Sequence, residues 1–170
     1  MTTELWLMLC IAFMVVIVAA IAFVCSIFAD KVEKERLLLQ SPDFTSLAGF
    51  SVNELPQEDF LRLDRVYLLG RKIGQLEFYI QPNWTAVLRV APQTTDLKMW
   101  EIGTQEYDQL IVRTVDGIRT ELRQAQNGAA MACWKREGFA YGLYLPRTEM
   151  GLAGAVMQQF VTACRSSLNR

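Results

Sequence analysis

Three side chains in this sequence have the type and setting to engage a ligand: Arg89, Trp134 and Tyr141. Arg89 stands in an apolar run, Val87-Leu88-Arg89-Val90. A guanidinium is always charged and presents its donors as a fixed fork, so it could hold a carboxylate or a phosphate. An ion pair within the fold, or an exposed strand face, is the expected reading beside that one. Trp134 and Tyr141 flank Glu137-Gly138, and a two-residue turn there sets them opposite each other on adjacent strands. Such a pair offers either an aromatic platform for a ligand or a cross-strand core contact, and the core contact is the expectation.

Catalytic groups do not assemble in the same way. The chain has no histidine, which removes Ser-His-Asp and Cys-His arrangements and every His-containing metal site. Of the four cysteines, Cys10 and Cys25 fall in the apolar N-terminal run, leaving only Cys133 and Cys164 for the rest of the chain. That is too few for a four-thiolate zinc site in one chain. Asp43, Glu54, Glu58 and Asp59 have no spacing that reads as an acid–base pair. No catalytic, metal-binding or cofactor-binding residue is expected, and no enzymatic activity. Asn83-Trp84-Thr85 fits a glycosylation sequon, which matters only in a secretory eukaryotic setting.

The elements that must position these residues begin after an unusual N-terminus. From Leu5 to Ala29 there is no charged residue. At about 1.5 Å per residue such a run makes a helix of roughly 37 Å, enough to cross a bilayer with some tilt. A cleaved signal peptide fits less well. Met1-Thr2-Thr3-Glu4 has no basic residue, and Ile27 stands where a cleavage site after Ala29 wants a small one. The expectation is an uncleaved anchor over 1–29, a juxtamembrane stalk over 30–43 and a soluble domain over 44–170, with the lipid bilayer as the partner of Leu5–Ala29. Lys31, Lys34 and Arg36 follow the run and no basic residue precedes it, which by the positive-inside rule puts the domain in the cytoplasm.

All 17 Lys and Arg lie after residue 29, as do all but one of the 18 acids. The domain is therefore close to neutral, with no basic excess of the kind a nucleic-acid binder carries. In the stalk, Val32, Leu37, Leu38 and Leu39 could continue the helix until Ser41-Pro42 stops it. Residues 43–50 read as an entry segment with one short helical turn, and Asn53–Pro56 as a loop. Strands are expected over 64–69, 75–80 and 85–90, separated by Gly70/Gly74 and Pro82-Asn83. Residues 96–106 read as loop.

Asp116-Gly117, Asn127-Gly128 and Glu137-Gly138 follow at intervals of about ten residues, each between strand-like runs, the strongest local hairpin signal. They define a meander over 109–115, 118–125, 129–136 and 139–145. A three-residue loop at Gln126-Asn127-Gly128 aligns Thr120 with Trp134 and Leu122 with Ala132; a two-residue loop would bring Glu121 opposite Trp134. The first keeps one face apolar, with Ala132, Trp134, Phe139, Tyr141, Leu143 and Leu145 on it. Thr148 is a plausible N-cap for a last helix over 149–167, with Leu152, Val156, Phe160 and Cys164 as its stripe. Cys133 alternates with Trp134. A helix covering the Trp134 face therefore keeps Cys164 away from Cys133, and no disulfide is expected.

At Glu77-Phe78-Tyr79, Arg89-Val90-Ala91, Val115-Asp116-Gly117 and Ala132-Cys133-Trp134-Lys135-Arg136-Glu137-Gly138-Phe139-Ala140-Tyr141, the chain resembles a bacterial family of small β-rich domains of unknown function. Its members carry an N-terminal anchor or signal sequence. The hairpin pattern is A-x-W-x-x-x-G-[FY]-x-Y, followed by a terminal helix. Members of that family have a D-I-S-G-like stretch after R-x-A, where this chain has Asp96-Leu97-Lys98-Met99. The resemblance implies an extracytoplasmic domain, against the Lys and Arg count, and implies no named activity.

The expected fold is α+β: a single N-terminal transmembrane helix, a mostly antiparallel twisted sheet of about seven strands and a C-terminal helix on one face. The expected function is a membrane-tethered, non-enzymatic binding or sensing domain at the cell envelope. The alternative is an accessory subunit of a membrane complex, joined through the small residues Cys10, Ala12, Ala19, Ala20 and Ala22 of the span.

Overall fold

The structure, a computed structural model, describes residues 13–18, 20–21, 36–80, 83–103, 106–147 and 150–168, without the side chains of 150–153. The chain divides into two units, Met1–Arg36 and Leu37–Arg170. In the first, residues 13–18 and 20–21 are helical. The full Leu5–Ala29 span lies mostly outside the described residues, among which no helix is long and apolar enough to cross a membrane.

The second unit is α+β. Its strands are β1 (Arg36–Leu39), β2 (Phe50–Glu54), β3 (Leu61–Leu69), β4 (Ile73–Ile80), β5 (Trp84–Pro92), β6 (Gln109–Val115), β7 (Ile118–Gln124), β8 (Ala130–Arg136), β9 (Phe139–Leu145) and β10 (Arg165–Leu168). Its helices are the single turn α1 (Thr45–Ala48) and α2 (Met150–Ala163). Eight strands form one sheet in the order β1-β3-β4-β5-β9-β8-β7-β6, and β2 pairs with β10 in a second, two-stranded sheet.

Turn chemistry explains the register of the meander. Asp116/Gly117 and Glu137/Gly138 have φ of 49°/77° and 50°/83°. These are two positive-φ positions in a row, the turn whose twist matches the flanking strands. They set Val115 opposite Ile118 and Trp134 opposite Tyr141. At Asn127 the three-residue loop forms: Thr120 faces Trp134 and Leu122 faces Ala132. The Asn127 side chain accepts a hydrogen bond from the Ala129 amide at 3.0 Å, holding that loop.

The inner face of the sheet carries Ala132, Trp134, Phe139, Tyr141, Leu143 and Leu145 into one core with Val66, Leu68, Leu76, Phe78 and Leu88. The stripe Val156, Met157, Phe160 and Val161 of α2 fills it together with Cys164 just past the helix end, with Phe44, Phe50 and Val52 beside it. Phe160 meets Phe78 edge-on at 5.0 Å.

Three expectations are corrected. Leu37–Leu39, assigned to a stalk helix, form the edge strand β1, while residues 31–35 lie outside the described residues. The Asn53–Pro56 loop gives its first two residues to β2. The last helix stops at Ala163, and Arg165–Leu168 is a strand on β2. That pairing joins segments more than a hundred residues apart, so no local pattern announces it. Arg136 and Arg165 donate to the Thr162 carbonyl in the last turn of α2, Arg136 at 3.1 Å, and Arg165 donates also to the Cys164 carbonyl just beyond it, so basic side chains meet the carbonyl end of the helix. The expected N-cap, Thr148, lies outside the described residues.

One close approach yields a test. A Cβ on Gly74 would lie 2.5 and 2.7 Å from two ring carbons of Phe44. That ring is fully buried and held 5.1 Å from Phe50. Gly74→Ala is expected to overpack the site and lose about 1–3 kcal/mol, seen as a lower urea midpoint at unchanged slope. An unchanged midpoint would mean the ring moves freely.

Candidate functional site

The connection from β5 to β6 starts at the middle of the large sheet and ends at its edge. It must therefore pass over β9, β8 and β7, and it does so on the face opposite α2. Leu97, Met99, Ile102 and Tyr107 of this crossover pack on Ala140, Tyr144, Met131 and Cys133 in a second core. Strand β9 is consequently buried along its whole length. Gly142 leaves the room that Met99 occupies; a Cβ there would collide with the thioether.

Arg89 fastens the crossover to the sheet. It alternates with Leu88 and Val90, so it leaves the inner core and faces the crossover, only 5 % exposed. Its Nε donates to Gln75 Oε1 at 2.9 Å, on the neighbouring strand directly opposite. Its Nη1 donates to the carbonyls of Leu97 at 3.0 Å and Lys98 at 2.6 Å, and reaches Glu101 Oε2 at 3.2 Å. Gln75 in turn donates to Glu77 at 3.0 Å. A buried guanidinium needs such a full set of acceptors, because an unpaired charge away from water is very costly. Here two of the acceptors, the Leu97 and Lys98 carbonyls, are the chain's own backbone.

The loop's local geometry serves those bonds. Asp96 accepts from the Lys98 amide at 3.0 Å, and Lys98 takes φ 50°. This aims consecutive carbonyls at Arg89 and starts a short 3₁₀ turn, Met99–Glu101. Leu97 and Met99 point inward, while Trp100 between Met99 and Glu101 points out and is 69 % exposed. It is the most exposed large apolar residue described in the second unit. A tryptophan carried on a braced loop costs less backbone ordering on contact, which suits it to anchor a partner.

The structure separates the three residues singled out in the sequence. Trp134 and Tyr141 are 3 % and 1 % exposed and stack at 5.2 Å with an interplanar angle of 5° on the inner face. Arg89 lies on the other face, so the three do not converge. Tyr141 donates to Ser166 at 2.9 Å, tying β9 to β10, and burial pushes its phenol up to about 12. Trp134 Nε1 and the Tyr107 hydroxyl are buried without a hydrogen-bond partner among the described residues. Trp100 was not singled out by sequence; the only signal was a lone tryptophan in a non-periodic stretch.

Cys133 and Cys164 are free and lie in the two different cores. Burial pushes the Cys164 thiol up to about 12 and also raises Cys133. Thiols held protonated in this way are poor nucleophiles and poor metal ligands. Among the described residues no group of three or more Cys, Asp or Glu side chains gathers to hold a metal ion. What the described residues do present is an exposed indole, Trp100, on a loop hydrogen-bonded to Arg89.

No family model, curated protein or solved structure matches the chain. The residues that carry the resemblance to the β-rich bacterial family have a structural use here. Ala132, Trp134, Phe139 and Tyr141 of the A-x-W-x-x-x-G-[FY]-x-Y hairpin all face the inner core, and Gly138 is in its turn. Arg89 of R-x-A grips the stretch Asp96–Met99 that stands in place of D-I-S-G.

Proposed function

We propose that this chain is a membrane-tethered, non-enzymatic binding or sensing domain at the cell envelope, and that Trp100 is its principal contact residue. The observation that carries the binding role is the Arg89 brace, which spends a buried charge on holding one loop and leaves an indole at its tip. Long loops on a rigid sheet are where binding residues concentrate. The tether rests on the uncharged run Leu5–Ala29, and the extracytoplasmic side on the resemblance to the β-rich bacterial family. The small residues along the run favour the second reading, an accessory subunit assembled through the span.

Topology tests the proposal. In the full chain with its four cysteines replaced, single cysteines are placed at Thr94 and Gln126, both exposed in turns. The expected result is that the chain stays with membranes through alkaline carbonate and that intact cells are labelled by an impermeant maleimide. Extraction by carbonate would remove the tether. Labelling only after lysis would move the domain to the cytoplasm, as the Lys and Arg count has it.

A further inference from the structure

The large sheet is open, and its two edges are differently finished. β1 is four residues long and is followed by a bend and Pro42. β6 is seven residues long, Gln-Leu-Ile-Val-Arg-Thr-Val, with one charge and no proline. Among the described residues no strand pairs with its outer edge. Proteins usually protect such an edge with charge, proline or a bulge. This one instead exposes Leu110 (63 %) and Val112 (50 %) side by side on the same face.

The backbone is poised to match. The two-residue turn at Asp116-Gly117 makes Val115 and Ile118 the closing bonded pair. Val115, Arg113, Ile111 and Gln109 then turn their N–H and C=O groups toward β7. Leu110, Val112 and Thr114 turn theirs outward, so the residues with exposed apolar side chains also carry the backbone groups that no described strand pairs.

We infer that β6 is a homodimerisation edge, pairing antiparallel with β6 of a second copy about a two-fold axis at Ile111. About that axis, Leu110 faces Val112 of the second copy and Val112 faces its Leu110. Both are outward-turned positions, so each pair exchanges two backbone hydrogen bonds. Ile111 faces its own copy, and Gln109 faces Arg113, so no like charges oppose. The same strand inverted sets apolar side chain on apolar side chain at both Leu110–Val112 pairs and opposes no like charges, the self-complementarity that an isologous interface requires. One strand pair buries less than the roughly 1,000 Å² of a stable interface in free solution. The dimer is therefore favoured where copies share a membrane plane, and to that extent it rests on the tether proposed above.

Cross-linking decides it. The two Ile111 positions form a non-bonded pair with Cα atoms about 4.5 Å apart, within reach of a disulfide. The full chain carrying Ile111→Cys, its native cysteines replaced, is reconstituted in phosphatidylcholine vesicles and mildly oxidised. A covalent dimer is expected, and adding Leu110→Lys and Val112→Lys is expected to cut its yield at least tenfold with an unchanged circular dichroism spectrum. A vesicle-bound chain that stays monomeric overturns the proposal, and so does a dimer that survives both lysines. If the chain fails to bind vesicles, it is the tether that fails. The same oxidation at high concentration in buffer then tests the edge without the membrane, a dimer sensitive to the lysines supporting it and a monomer overturning it.

Discussion

Arg89→Ala is expected to release the crossover from the sheet and to lower the stability of the domain by about 3 kcal/mol. The loss has two parts. The carbonyl of Leu97 and the amide oxygen of Gln75 lose a charged donor in buried places, and the carbonyl of Lys98 loses one in a partly buried place. Glu101 loses its buried partner but is itself partly exposed, so its contribution is the smaller one. The change is local before it is global. Hydrogen exchange at residues 96–103 should accelerate more than in β9, and Trp100 emission should lose its anisotropy. Arg89→Lys keeps the charge but not the fork, and should recover less than half of the loss. Trp100→Ala is the contrast: its indole is in water, so stability should stay within about 0.5 kcal/mol while any partner contact is lost. Unchanged exchange in the Arg89→Ala loop would mean that the crossover is held by Leu97 and Met99 alone.

The other large effect belongs to the inner core. Phe160 is fully buried at the centre of the α2 stripe and stands edge-on to Phe78. Phe160→Ala removes a large apolar surface and leaves a cavity that strands from one side and a helix from the other cannot both collapse into. A loss of about 3–5 kcal/mol is expected by equilibrium urea unfolding, against a total of about 5–15 kcal/mol for a domain of this kind. Because α2 leads directly into β10, a loosened helix also frees the Arg165–Leu168 pairing with β2. Near-ultraviolet circular dichroism should therefore fall along with stability, while Phe160→Leu should lose well under half as much. A loss below about 1 kcal/mol for the alanine would show that α2 is not seated through this ring.

The two residues differ in how far they could be read in advance. Phe160 was legible because a helix repeats every 3.6 residues and its apolar stripe announces which side must be covered. Trp134 and Tyr141 were legible as a pair for a similar reason, since a two-residue turn leaves only one residue opposite each. Arg89 was legible as a fork without a known acceptor. Its acceptors belong to residues 97–101, and nothing in that stretch has a period to read. The resemblance to the β-rich bacterial family pointed to the hairpin 132–141, yet the structure uses that hairpin to build the core, while Trp100 directly follows Asp96–Met99, the stretch where this chain differs from that pattern.

The sequence by itself determined the elements whose causes are local: the positive-φ turns, the register of the β6–β9 meander and the buried stripe of the last helix. It also determined the limits on chemistry, because an absent histidine is absent in any fold. Only the tertiary structure decided that β10 closes on β2, that the crossover buries the second face of β9, that Arg89 donates to the backbone of Leu97 and Lys98, and that Trp100 is left in water. Those outcomes depend on contacts between segments distant in the chain. Such contacts are fixed by which surfaces remain to be covered once the local elements have formed, and that is a property of the assembled sheet and not of any stretch of residues read alone.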